Sequence, residues 1–134
     1  MRILGDTMVG ALAFGLWLVG CDTPPHKPLA RPDPNMQEGR ESVLNDLAEA
    51  RVILGIGPCG ERGGGCKIVV GPPWYDLNYE DKRSFASTAG AWYLCKNYSS
   101  QTSFVVLAVD WQTKETVATL VLDSGLPESF EVKR

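Results

Sequence analysis

The stretch Ser103–Asp110 (SFVVLAVD) is apolar on both faces of a strand, with Phe104, Val106 and Ala108 alternating with Val105, Leu107 and Val109. A strand of that kind belongs in the middle of a sheet and calls for cover on both sides. Thr116–Asp123 (TVATLVLD) follows after Trp111, Gln112, Thr113, Lys114 and Glu115, which reads as a hairpin with a five-residue loop. Any fold for this chain is built around that pair.

Upstream, residues 38–50 carry Val43, Leu44, Leu47 and Ala48 on one helical stripe, with Glu41, Asp46 and Glu49 elsewhere, and predict a short helix. Residues 51–56 read either as a continuation of that helix or as a strand. The β-branched pair Val52-Ile53 and the following Gly55-Ile56-Gly57-Pro58 favour the strand, in a hairpin with residues 66–70. Pro72 and Pro73 stop the latter strand. Asn78 then caps a second helix, with Asp81 three residues on. On that helix Phe85, Ala89, Trp92 and Cys95 share a face, and the helix is expected to end near Asn97. The pattern predicts a small two-layer α+β domain over residues 37–134, with a three- or four-stranded, mostly antiparallel sheet and one or two helices.

The N-terminus follows other rules. Arg2 and the free amine are offset by Asp6, then Met8 to Val19 runs twelve residues without a charge, and Leu18-Val19-Gly20-Cys21 ends the segment. Twelve residues make a helix of about 18 Å against a hydrocarbon core of about 30 Å, which is the length of a signal-peptide core and too short to span. LVGC resembles the lipobox of bacterial lipoproteins, with Leu18 at −3, Gly20 at −1 and Cys21 at +1. The resemblance implies a type II signal peptide over residues 1–20, cleavage before Cys21, diacylglycerol on its sulfur and a fatty acyl group such as palmitate on the new amine. Two or three acyl chains hold a protein stably on a membrane. The implied location is the cell envelope, on the inner or the outer membrane, facing the periplasm where there are two. Asp22 at +2 resembles the inner-membrane retention signal of enteric bacteria, which other lineages do not read.

Residues 22–36 contain Pro24, Pro25, Pro28, Pro32 and Pro34 of the chain's nine prolines. As polyproline II they would make a spacer of up to about 45 Å between the lipidated Cys21 and the domain. With Cys21 lipidated, Cys59, Cys66 and Cys95 remain, and outside the cytoplasm thiols tend to be oxidised. A glycine-rich loop between Cys59 and Cys66 favours a disulfide there, with Cys95 a buried thiol; pairing of either with Cys95 stays open.

Several function classes fit poorly. A net charge of −3 gives no basic track for nucleic acid. Residues 55–60 spell G-x-G-x-x-G, but more glycine follows where a dinucleotide site needs a helix N-terminus, so no nucleotide is expected. Cys59 and Cys66 are too far apart for a zinc pair, and His26, the one histidine, lies in the spacer; no metal and no cofactor are expected. Cys95 has the helical phase of a buried small hydrophobe. Asp76, Glu80 and Asp81 cluster at a helix start, where carboxylates complement the dipole; an envelope hydrolase using them is the enzymatic alternative. Trp74, Tyr75 and Tyr79 around the same helix start are the candidate partner-binding residues. The expectation is a non-catalytic binding or assembly module of the envelope with a protein partner: an accessory subunit, inhibitor or immunity protein. A structural lipoprotein that binds peptidoglycan is the further alternative.

Overall fold

A computed structural model describes residues 27–59 and 64–133. The expected signal peptide, the expected lipidation site Cys21, the first part of the expected spacer and His26 lie outside the described residues. Among the described residues the chain forms two α-helices, α1 (Gln37–Glu49) and α2 (Tyr79–Lys96), and five strands. The strands are β1 (Ile53–Pro58), β2 (Gly65–Val70), β3 (Ser103–Asp110), β4 (Thr116–Asp123) and β5 (Ser129–Val132), and they lie in the sheet in that order.

The α+β class is as the sequence reads, with one more strand than expected. Three of the four pairings are antiparallel, and β2 and β3 run parallel because α2 crosses between them. Of residues 51–56, Arg51 and Val52 form the turn after α1, and the strand runs from Ile53. β1 even includes Gly57 and Pro58, a pair that reads as a breaker, because an edge strand tolerates a missing donor on its outer side. The missed strand, β5 (SFEV), has a single buried apolar residue, Phe130, and so leaves little alternation to detect.

Both helices pack on one face of the sheet. There Cys66, Ile68 and Val70 of β2, Phe104, Val106 and Ala108 of β3, and Ala118 and Leu120 of β4 are almost wholly buried, with Phe130 of β5. α2 meets that face with small residues: Ala86, Ala89 and Gly90 are buried, along with Leu94 and Cys95, while Phe85 and Trp92 flank the contact half-buried. Its start is held as expected by Asn78, whose side chain accepts from the Asp81 amide at 2.8 Å. α1 leans on α2 and β1 and buries Leu47, leaving Val43 exposed.

The domain also begins earlier than residue 37. The Leu29 amide donates to the Gln101 carbonyl at 2.7 Å, its carbonyl accepts from the Tyr98 hydroxyl at 2.6 Å, and Arg31 Nε donates to the Cys95 carbonyl at 3.1 Å. From Leu29 onward the proline-rich segment is therefore tied to the domain. Residues 29–36 of the expected spacer thus belong to the domain.

Candidate functional site

The aromatic residues around the start of α2 are parted by the fold. Trp74 is wholly buried in the core, which removes it as a partner-binding residue. Its position follows from the turn Pro72–Asp76: two prolines wind the chain into a 3-10 turn that points the indole inward. Tyr75 and Tyr79 keep half their surface exposed, but both hydroxyls are used within the chain. Tyr79 donates to the Phe130 carbonyl at 2.8 Å and sets its ring edge-on to Phe130, clasping β5 to the helix.

Tyr75 donates to Asp110 Oδ2. The other oxygen of this buried carboxylate accepts from the amides of Gln112 and Thr113 at 2.7 and 2.9 Å, which shapes the β3–β4 loop. The Tyr75 hydrogen bond, followed by the backbone donors, holds Asp110 below the usual carboxylate range. Partial burial of the Tyr75 hydroxyl, and then its bond to Asp110, push the phenol up to about 12. A proton kept longer in the folded state stabilises the fold below the ordinary phenol value of 10, and the contribution disappears between 10 and about 12. An ultraviolet titration should show a phenol ionising near 12, and Asp110→Asn should lower it. A titration with no phenol ionising that high would show that the clasp is not formed in solution.

The carboxylates proposed for hydrolysis are all exposed. Glu80 pairs with Arg83 at 3.1 Å, and Arg83 reaches across to Glu128 at 2.9 Å; Asp76 and Asp81 stand free of that network. Cys59, Cys66 and Cys95 are free thiols, so the expected Cys59–Cys66 bond is not present in this structure. Cys66 sits opposite Pro58 and points into the core, whereas Cys59 lies one residue past the strand end. Burial, helped by the neighbouring Cys59, pushes the Cys66 thiol up to about 12, which leaves it a poor nucleophile. Cys95 is buried, as its helical phase predicts.

Two other surfaces have the form of binding sites. One is a groove of about 420 Å³ between Leu44 and Ala48 of α1, Ile53, Leu54 and Ile56 of β1, and Trp92. Its Trp92 end is held by the indole N–H donating to Glu41 at 3.2 Å and by Lys96 stacked 4.9 Å over the ring.

The larger surface is the face of the sheet away from the helices. Neighbours across the strands form two central rows on it: Gly55, Val69 and Val109; and Gly57, Lys67, Leu107, Thr119 and Glu131. A third row holds Gly65, Val105, Val121 and Ser129. Val69, Val105, Leu107 and Val121 are half-buried only by their neighbours in the sheet, since no described helix lies over them. The doubly apolar β3 thus has cover on one side and an open aliphatic strip on the other. Periodicity shows that both faces of β3 are apolar; the face left open depends on where the helices go, which no local pattern encodes. Comparison with protein-family models, with curated proteins and with solved structures finds no match.

Proposed function

We propose that this chain is an exported lipoprotein of the cell envelope, held to a membrane by lipid on Cys21. Its domain works as a non-catalytic binding module that docks a protein on the open face of the sheet. The observation that carries the reading is that face: a strip of Val69, Val105, Leu107 and Val121 at the centre of a five-stranded sheet whose helices both lie on the other side. Aliphatic patches of this kind on a folded domain mark interaction sites. The anchor rests on the Leu18-Val19-Gly20-Cys21 motif behind an uncharged stretch of signal-peptide length. With the chain tied down from Leu29, residues 22–28 would set how far that attachment point stands from the bilayer, about 22 Å as polyproline II.

The test is made in bacterial membranes with the full chain. Radiolabelled palmitate should enter the wild type and not Cys21→Ser. A photo-crosslinking amino acid at Leu107 or Val121 should give protein adducts, and one at the exposed Glu49 of α1 should give none. Labelling that persists in Cys21→Ser would refute the anchor, and an open face without adducts would refute the docking surface.

A further inference from the structure

We infer that the partner on the open face is a second copy of this chain, the two sheets stacking face to face about a two-fold axis parallel to the strands. This rests on reading that face as a docking surface and adds the identity of what docks there. The argument comes from charge. In the row Gly57, Lys67, Leu107, Thr119, Glu131 the basic residue lies on β2 and the acidic one on β5, three strands away. At about 4.8 Å per strand they are about 14 Å apart, too far to pair with each other. Both are exposed, and neither forms an ion pair among the described residues. A row with one sign at each end, and Leu107 and Thr119 between, is complementary to itself when reversed.

The register fixes the arrangement. An axis along the strands, between β3 and β4, sets β2 over β5 of the other copy and β3 over β4. Lys67 then faces Glu131 of the second copy, Glu131 faces its Lys67, and Leu107 faces Thr119, twice over by symmetry. An axis across the strands through the same row would instead place each lysine over a lysine and each glutamate over a glutamate, which like charge disfavours. Packed sheets lie about 30° askew. At about 7 Å from the axis that displaces Lys67 by about 4 Å, within reach of its side chain.

β1 falls outside the overlap, and it is the strand with least to contribute: Gly55 and Gly57 present no side chain, and a Cβ at either would meet nothing. The overlapping strands cover roughly 400 Å² per copy, about 800 Å² in all, which is below the roughly 1,000 Å² of a stable interface and in the range of weak, transient ones. Such a dimer is weak in dilute solution and gains from confinement of both copies to one membrane.

Förster transfer between donor- and acceptor-labelled copies of the full chain, reconstituted into lipid vesicles at graded surface concentration, reads the association where both copies share a membrane. The wild type should form dimers. Lys67→Glu and Glu131→Lys should each weaken association about tenfold, by turning two attractive pairs into like-charged ones. The double swap K67E/E131K should restore it, and Leu107→Asp should abolish it. A monomer at every concentration overturns the inference. If open-face crosslinks then run at the mass of a different protein, the docking surface stands and only its occupant was misassigned; if they are absent, both readings fall. A dimer indifferent to the charge variants and to Leu107→Asp forms elsewhere and equally overturns the inference.

Discussion

Trp74→Ala should cost about 3–5 kcal/mol of folding stability and lower the melting temperature by on the order of 15–25 °C. Trp74 is the largest of the side chains that are fully buried, and its turn lies between β2 and α2, where the chain leaves the sheet to begin the crossover. A domain of about this size is held by roughly 5–15 kcal/mol in total, so the loss removes about a fifth or more of what is there. Trp74→Phe should behave differently. The indole N–H is buried and has no acceptor among the described residues. A buried donor left unsatisfied costs about 1–3 kcal/mol, and phenylalanine removes the donor while filling most of the space. The two effects oppose each other, and the Phe variant should lie within about 1 kcal/mol of wild type. Thermal unfolding followed by circular dichroism separates the outcomes. If the Phe variant is as damaged as the Ala variant, the indole nitrogen has a partner in solution and its supposed cost is not real.

The same residue shows where sequence reasoning stops. Trp74, Tyr75 and Tyr79 stand close together on either side of two prolines and a helix cap, and as a string they look like a binding loop. Their fates diverge because each meets something distant in sequence: Trp74 the core, Tyr75 Asp110, and Tyr79 Phe130. Strands and caps are local and were legible. The β3–β4 hairpin has the expected limits, and Asn78 caps α2 through the expected amide. What local pattern does not carry is the side of the sheet on which a helix lands. β3 announces two apolar faces, and only the placement of α1 and α2 shows which of them is left open. The contact face of α2 includes Ala89 and Cys95, as the spacing predicts, but is centred away from Phe85 and Trp92 for a related reason. Phe85 and Trp92 carry the apolar area that periodicity detects, but a helix lying close on a sheet is pressed there through its small residues, Ala86, Ala89 and Gly90. Bulk marks the flanks of that contact and leaves its centre almost unmarked.

Gly90 is the most exacting point of that contact, and its substitution should show how closely α2 lies on the sheet. Glycine inside a helix is unfavourable by about 0.5–1 kcal/mol relative to alanine, so on propensity alone Gly90→Ala would stabilise. A Cβ there, however, would sit 2.6 Å from Val106 Cγ2. Val106 has little room to yield: it is β-branched, 1% exposed, and flanked across the sheet by Cys66 and Leu120, both fully buried. The helix must lift instead, and overpacking of that kind costs about 1–3 kcal/mol. The clash should win for alanine, giving net destabilisation of up to about 2 kcal/mol. Gly90→Leu should lose about 3 kcal/mol or more, because its longer side chain is driven toward Val106 and Phe104 together. Urea unfolding provides the decisive comparison through Val106→Ala. If the 2.6 Å approach is real, the Gly90→Ala, Val106→Ala double variant should be more stable than the sum of the single effects by about 1 kcal/mol or more. Effects that add within about 0.5 kcal/mol would mean that α2 lies farther from β3 than the structure places it.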